Sequence, residues 1–152
     1  MFDLYDELRS IVATFNARGV EFALCGGLAM AVYAAPRATV DIDFLIRPED
    51  VEAAFAAAES VGYVIKARPM SFSAGAVEIR RVSKIDPASH DVLSLDFLLV
   101  TAASRDVWQN RQQVILDGLQ LTVVSREGLI KLKSFRSSGR DLDDIAVLRG
   151  EQ

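Results

Sequence analysis

The stretch "CGGLAMAVYAAPRATVDIDFLI", residues 25–46, combines two adjacent glycines with two aspartates in an otherwise apolar run. Its second part, Thr39 to Ile46, has the composition of a strand, and Asp41 and Asp43 lie inside it. Carboxylates are rare in strand interiors unless they have a partner. Because side chains at i and i+2 project from the same face of a strand, the two carboxylates point the same way, while Ile42 and Phe44 face the opposite side. The pair therefore marks a candidate site.

A third acid, Asp96, lies in a second predicted strand, Asp91 to Val100, whose two faces are both largely apolar. If the two strands are neighbours, three carboxylates converge. Two unit charges about 4 Å apart near a protein surface repel by roughly 4 kcal/mol, so the cluster needs shifted pKa values or a cation. Oxygen ligands favour Mg²⁺ or Mn²⁺ over zinc. The three acids therefore predict a magnesium or manganese site.

Gly26 and Gly27 stand between a short predicted strand, Val20 to Cys25, and a predicted helix, Leu28 to Ala35. Glycines at this point let a phosphate approach the backbone, and the helix N-terminus offers free N–H groups. Mg²⁺ is commonly completed by substrate phosphates. A phosphate cradle followed by paired carboxylates is the layout of metal-assisted phosphoryl or nucleotidyl transfer.

Each of these features also has a simpler interpretation. Two adjacent glycines are often only a turn, an Asp-x-Asp pair is often a solvated strand edge, and Asp96 is compatible with a buried acid paired to an arginine. Basic residues toward the C-terminal half allow either a local RNA-binding face or ordinary surface ion pairs. They are Arg80, Arg81, Lys131, Lys133, Arg136 and Arg140.

The rest of the chain alternates helical and strand patterns. We therefore expect one domain over residues 1–152, of α/β (α+β) class, with a mixed sheet flanked by helices and a C-terminal helical pair. Asp117-Gly118 predicts a tight hairpin turn, and Ser125 is expected to cap the helix that follows it. The remaining predicted helices run from Phe2 to a Gly19 end, between Pro48 and Gly62, and at Arg126–Arg136 and Asp141–Arg149. The sequence also predicts strands at Tyr63–Ala67 and Ala76–Val82, a turn at Ser71–Gly75, and a short helical or irregular piece at Ser104–Asn110.

Composition limits the other function classes. The net charge is −4 and the isoelectric point about 5.0, which gives no general attraction to nucleic acid or anionic membranes. A single cysteine, Cys25, excludes an internal disulfide and a cysteine zinc cluster. Nothing supports a Ser-His-Asp triad around the single histidine, His90. The N-terminus does not read as a signal peptide, and the sequence predicts no membrane segment, so we expect a cytoplasmic protein.

The order "CGG", "DID" and "SLDFLL" resembles the nucleotidyltransferase superfamily that includes DNA polymerase beta. The run "PRATVDIDFLI" is similar to small bacterial members related to the AbiEii toxins. The tail "LIKLKSFRSSGRDLDDIAVL" resembles their helix lysine followed by an Asp-x-x-Asp helix. The resemblance covers about residues 20–149 and implies the nucleotidyltransferase fold.

The resemblance also implies roles for individual residues. Asp41 and Asp43 would hold both metals, and Asp96 would hold the catalytic metal and help activate the attacking hydroxyl. The implied nucleotide-binding residues are Gly26, Gly27, Arg37, Thr39 and Lys133, with Lys131 as the alternative lysine. Asp141 and Asp144 match the tail pattern, and a clamp of the tail helix through Arg136 or Arg140 is one interpretation of them.

The expected function is that of an enzyme that moves a nucleoside monophosphate from an NTP such as ATP to a hydroxyl of an RNA or protein acceptor. The resemblance implies tRNA or a protein side chain as the acceptor, and a cognate toxin or antitoxin partner. The alternatives are a small-molecule nucleotidyltransferase of the antibiotic-modifying kind and a degenerate binding partner in a toxin–antitoxin pair. Because the chain leaves no separate acceptor domain, the acceptor must bind this domain, a homodimer or a partner protein.

Overall fold

A mixed sheet of eight strands forms the centre of the structure, a computed structural model that describes residues 2–34, 40–136 and 138–150. The strands are β1 (Ala23–Cys25), β2 (Asp41–Ile46), β3 (Ile65–Lys66), β4 (Met70–Phe72), β5 (Val77–Ile85), β6 (Val92–Leu99), β7 (Gln112–Leu116) and β8 (Leu119–Val123). The helices are α1 (Leu4–Arg18), α2 (Gly26–Tyr33), α3 (Val51–Ser60), α4 (Arg105–Gln109), α5 (Arg126–Ser134) and α6 (Gly139–Leu148). Short 3-10 turns cover Pro48–Asp50, Ser73–Gly75 and Ala102–Ser104.

The strand order is β3-β5-β6-β2-β1-β8-β7, and β4 pairs with residues 77–79 of β5, on the same edge of β5 as β3 and opposite β6. β2 lies in the interior of the sheet, antiparallel to β1 and parallel to β6. The condition for the three acids to converge, that the Asp41–Asp43 strand lies beside the Asp96 strand, is therefore met. The mixed α/β fold class is confirmed as well.

One face of the sheet is apolar and covered by α1 and α3. Phe44 of β2 packs edge-on against Phe15 of α1, with ring centroids 5.2 Å apart. Phe97 of β6 packs against Phe55 of α3 at 5.5 Å. Ile42 is fully buried, as is Phe44. Burying this face forces the alternate residues of β2, Asp41 and Asp43, onto the opposite face.

Two helices over the acidic face begin at side-chain caps. The Ser125 hydroxyl accepts a hydrogen bond from the Gly128 N–H, which confirms the predicted cap of α5. Ser138 and Asp141 form a reciprocal capping box at the start of α6. The box starts α6 at Gly139, two residues before the predicted position.

Several predicted boundaries differ from the structure. α2 begins at Gly26 instead of Leu28, and β1 is confined to Ala23–Cys25. The stretch Ser71–Gly75, predicted as a turn, instead begins inside β4, which pairs with β5 before the 3-10 turn. The hairpin between β7 and β8 is confirmed: Asp117 and Gly118 both have positive φ, 50° and 77°, as its two-residue turn requires.

Arg126 of α5 connects this helix to α6 and α2. Its guanidinium donates to the Leu148 carbonyl of α6 at 2.8 Å and to the Tyr33 carbonyl of α2 at 2.9 Å. It also lies over the Tyr33 ring, 5.3 Å from the centroid.

Replacing Arg126 by alanine should lower the free energy of unfolding by about 2 kcal/mol, because two part-buried carbonyls lose a charged donor. Urea denaturation would measure this, with exposed Arg105→Ala as the control; equal losses in both variants would contradict the clamp.

No helix in the described ranges has both the length and the apolar character needed to cross a bilayer.

Candidate active site

Four side chains from four adjacent strands stand in one row across the acidic face. The register pairs Cys25 with Asp43, Asp43 with Asp96, and Asp96 with Arg81. The sheet thus brings together two acids that are about 50 residues apart in sequence. A thiol flanks the acids on one side and a guanidinium flanks them on the other. The Cys25 thiol is buried, which raises its pKa well above the ordinary value.

A second row, one pleat along the strands, contains Asp41. Asp41 is in register with Ser94, and Ser94 with Ser83. The two serine hydroxyls are 2.8 Å apart and both side chains are buried. Asp41 and Asp43 therefore share a face, as the i, i+2 spacing predicts, and lie beside a polar row on β6 and β5.

Gly26 makes direct room for the Asp43 carboxylate. A Cβ built on Gly26 would lie 1.8 Å from Oδ2 of Asp43, far inside van der Waals contact. The φ of Gly26 is also +68°, in the left-handed region that favours glycine. The first glycine of the motif is therefore required by the carboxylate behind it, a role that the sequence prediction of a phosphate cradle did not include.

Burial and mutual repulsion raise the pKa values of two of the acids, Asp43 and Asp41. Burial raises the pKa of the Asp43 carboxyl to about 7, and the negative charges of Asp96 and Asp41 add to the rise. Arg136 and Lys133 oppose it. The pKa of Asp41 is also raised, first by burial and then by Asp96, while Arg81 lowers it. The nearby cations therefore neutralise the negative charge of these acids only in part.

Asp96 is held by an arginine. Nε of Arg81 donates to Oδ1 at 2.7 Å, and the second guanidinium contact reaches Oδ2 at 2.9 Å. The arginine partner that the sequence left open as the simpler interpretation of Asp96 is therefore present, and it is Arg81. The hydrogen bond to Asp96 raises the pKa of Arg81, so the guanidinium stays charged.

Lys133 joins α5 to α6 in a buried ion pair. Its Nζ lies 2.8 Å from Oδ2 of Asp144 and 4.0 Å from Oδ1 of Asp141. The Lys133 side chain is only 7% exposed and that of Asp144 8%. The predicted clamp of the tail helix exists, but its cation is Lys133 instead of the expected Arg136 or Arg140. Lys131, the alternative lysine, binds Asp106 at the surface at 2.8 Å.

Replacing Lys133 by methionine should lower the free energy of unfolding by about 3 kcal/mol, because Asp144 would lose the cation that compensates its buried charge. Chemical denaturation would measure the loss. Lys131→Met is the matched control, since its pair with Asp106 is exposed to solvent and contributes little to stability. A Lys133→Met variant as stable as wild type would show that the pair does not hold α6.

A small cavity opens onto the row between the sheet and the last two helices. It has a volume of about 30 Å³. Cys25, Gly26 and Asp43 line it on the sheet side, and Lys133 and Arg136 on the helix side. Larger clefts, of about 460 and 450 Å³, lie elsewhere and contain none of the three acids. We assign the candidate site to the smaller cavity because Asp43 lines it together with Lys133 and Arg136.

The donor chemistry fits a hard divalent cation. Asp41 and Asp43 supply carboxylate oxygens on one face, and their raised pKa values show charge that a cation would neutralise. Within residues 2–34, 40–136 and 138–150, however, no three histidine, cysteine, aspartate or glutamate side chains form a ready metal cluster. The Arg81 bond to Asp96 gives a physical reason, because it turns the third carboxylate to another partner.

The other predicted nucleotide-binding residues divide into two groups. Gly26 and Gly27 open α2, whose capping position, Cys25, contributes no side-chain hydrogen bond to the helix N-terminus. Arg37 and Thr39 fall outside the described residues. Arg81 was not predicted as a site residue from the sequence. Its place beside Asp96 follows from the register of β5 against β6, and the alternation of apolar and polar residues does not determine that register.

The family model described as "Nucleotidyl transferase AbiEii toxin, Type IV TA system" matches residues 11–148. Among curated protein sequences, none matches the chain significantly.

Solved structures with a similar fold include two antibiotic-modifying enzymes. The lincosamide antibiotic adenylyltransferase LnuA, solved with lincomycin bound, superposes with a TM-score of 0.65 at 18% identity, covering 97% of each chain. The Thermotoga maritima protein TM1012 gives 0.63 at 17% identity, covering 96% of this chain and 90% of its own. ANT(2")-Ia, solved with adenylyl-2"-tobramycin, gives 0.63 at 14% identity, covering 95% and 87%. At these identities the structures show the shared fold.

Proposed function

Because the chain belongs to the AbiEii family of nucleotidyl transferases, we propose that it transfers a nucleoside monophosphate from an NTP to a hydroxyl group of an acceptor, with Mg²⁺ or Mn²⁺ as cofactor. The observation that carries the proposal is the row of Asp43 and Asp96 on parallel strands, with Asp41 one pleat away on the same face. Three acids on one face of a sheet are costly without a cation, which gives them a functional reason to be there.

In this proposal Asp41 and Asp43 hold the divalent cations, and Asp96 joins them at the catalytic one. The cations, when bound, would neutralise the phosphates and lower the pKa of the attacking hydroxyl. Asp96 orients the acceptor oxygen for attack on the α-phosphate. The hydroxyl gives up its proton to water, the new bond joins its oxygen to the α-phosphorus, the bond to the β-phosphate oxygen breaks, and pyrophosphate leaves.

The N-terminus of α2 is the proposed binding site of the triphosphate. Gly26, which is half-buried, and Gly27, which is buried, open α2; no side chain caps the helix start, and the helix dipole favours a negative charge there. Arg136 lines the same cavity and supplies positive charge beside Asp43. Lys133 is the second basic group of this cavity, and a phosphate would compete with Asp144 for it. Arg37 and Thr39 remain proposed phosphate ligands from the sequence.

The proposed acceptor is a macromolecule, an RNA or a protein, and the proposed setting is a toxin–antitoxin pair. The family description supports this, since it names a toxin of a type IV system. Apolar side chains that stay exposed near the second row offer an acceptor surface: Ile85 and Val92 are paired across β5 and β6, and Ile65 is opposite Ser83. These exposed apolar side chains beside the acids would favour an acceptor with an apolar group next to its hydroxyl.

A small-molecule acceptor is the second candidate. The observation that favours it is the match with LnuA over 97% of both chains, because an adenylyltransferase of about this length acts on a lincosamide antibiotic. A chain of this size therefore does not require an extra acceptor domain.

Calorimetric titration with each of the four NTPs, with and without Mg²⁺, tests the proposal. We expect Mg²⁺-dependent binding by the wild type, lost when Asp41 and Asp43 are both replaced by alanine. Exposed Asp143→Ala is the control and should bind normally. If the folded wild type binds no NTP, the proposed transferase activity is wrong for the chain by itself, and the search moves to a partner protein.

A further inference from the structure

The ion pair between Arg81 and Asp96 has an exposed half and a buried half. The Arg81 side chain is 38% exposed, whereas that of Asp96 is 7% exposed. Both guanidinium contacts reach the two oxygens of one carboxylate, at 2.7 and 2.9 Å. The arginine therefore lies on the solvent side of the pair and occupies the carboxylate that the proposed function assigns to the catalytic cation.

We propose that Arg81 is a built-in counter-ion that holds Asp96 in the resting protein and moves to the phosphates of the incoming nucleotide, so that cation and nucleotide bind as a pair. The proposal rests on the proposed function, because it takes Asp96 as a cation ligand. It makes Arg81 a substrate-binding and positioning residue at the site.

Electrostatics favour exchange over sharing. A guanidinium and a divalent cation on the same carboxylate repel each other, and the repulsion is strong where burial lowers the effective dielectric. A cation that binds without nucleotide would have to break the bidentate pair of Arg81 with Asp96 and would leave Arg81 without an equivalent partner. A cation that binds together with a triphosphate supplies a new partner for Arg81, since phosphate oxygens accept the same two-pronged hydrogen bonds as a carboxylate.

The surroundings of Arg81 allow such a movement. The exposed side chain can leave Asp96 without crossing the apolar core. The polar neighbour on the same face of β5, Ser83, is engaged with Ser94, so it does not compete for the carboxylate. Arg81 also experiences the charges of Asp41 and Asp43, which keep the guanidinium near the row after it leaves Asp96.

The test compares Mn²⁺ binding to wild type and to Arg81→Gln, alone and with each NTP, by electron paramagnetic resonance of free Mn²⁺. A hydrogen-bonded charged pair is worth about tenfold or more in affinity. In Arg81→Gln we therefore expect Mn²⁺ alone to bind about tenfold tighter than in wild type. We also expect the enhancement of Mn²⁺ affinity by NTP to fall about tenfold. Arg80→Gln is the control, because Arg80 points to the opposite face and pairs with Glu78.

The outcomes separate this proposal from the proposed function. If Mn²⁺ alone binds Arg81→Gln no tighter than wild type while wild type binds Mg²⁺–NTP, Arg81 is a fixed partner of Asp96 and the counter-ion proposal is overturned. If Mn²⁺ binds tighter in Arg81→Gln but no NTP binds either protein, the resting contact of Arg81 with Asp96 still competes with the cation, but the transfer of Arg81 to nucleotide phosphates is overturned and the proposed transferase function fails. Arg81→Lys keeps the charge without the two-pronged geometry, and should give an intermediate Mn²⁺ affinity even if Arg81→Gln unfolds.

Discussion

Replacing Asp43 by asparagine should reduce nucleotidyl transfer by at least about a thousandfold, because several kcal/mol of metal-assisted stabilisation are lost with its ligand. Asparagine keeps the shape of the side chain and removes its charge, so the packing of residue 43 against Gly26 should not change. Single-turnover transfer from radiolabelled NTP, with the acceptor found by screening RNA and protein fractions, would measure the loss. Transfer within tenfold of wild type would contradict the assignment of Asp43.

The same substitution should make the metal-free protein more stable above neutral pH. The pKa of Asp43 is raised to about 7 in the folded state, while an unfolded aspartate titrates near ~3.9. As pH rises from about 4 to about 7, the unfolded state loses its proton first, so this group lowers stability progressively and its full penalty is present above pH 7. Asp43→Asn removes the penalty and should stabilise the fold by roughly 1–3 kcal/mol at pH 8 and by little at pH 4.

Denaturation of Asp43→Asn and wild type at both pH values, without divalent cations, checks this sign. Asp143→Asn is the matched control, since Asp143 is exposed on α6. A loss of stability at pH 8 would show that Asp43 makes favourable native contacts that outweigh its burial. A gain in stability combined with a loss of transfer would identify Asp43 as a residue kept for function at the expense of the fold.

Replacing Gly26 by alanine should be the most disruptive single-methyl change at the site. The added Cβ would overlap Oδ2 of Asp43, and a left-handed φ of +68° is unfavourable for any residue with a Cβ by roughly 1–2 kcal/mol. Either the Asp43 carboxylate or the start of α2 must move. We expect a loss of about 3 kcal/mol in the free energy of unfolding and loss of Mg²⁺-dependent NTP binding.

Gly139→Ala is the control for Gly26→Ala. Gly139 opens α6, and a Cβ built there meets nothing within 4 Å. Because alanine has the higher helix propensity, this variant should be as stable as wild type or slightly more stable. Thermal and urea denaturation of the two variants, followed by NTP calorimetry, provides the comparison. Equal behaviour of the two would exclude steric contact with Asp43 as the reason for Gly26.

Alternation and turn chemistry made most of the fold predictable from the sequence. Asp41 and Asp43 could be placed on one face because the strand period is two, and the Asp117-Gly118 hairpin could be placed because few residue pairs adopt its φ angles. The pairing of β2 with β6 was only conditional, since strands far apart in sequence carry no local signal of their neighbours.

The partners inside the site were the least predictable part. Whether Arg80 or Arg81 reaches Asp96 depends on a one-residue register, and a slip would move each side chain to the other face. The Lys133–Asp144 pair likewise depends on how α5 packs against α6. The steric role of Gly26 depends on a carboxylate from the next strand, so the sequence pointed to the right residue for a different reason.

The parallel pairing of β2 with β6 has a consequence for the newly made chain. Asp43 and Asp96 become neighbours only after the roughly 50 residues between them have been synthesised, and α5 and α6, which close the cavity, follow β6 in the sequence. Contacts this far apart in sequence form slowly, because a long loop must close before they repay its entropy. A nascent or truncated chain in which α5 and α6 have not yet formed therefore has no assembled cavity, so the order of synthesis delays the site until the rest of this fold is present.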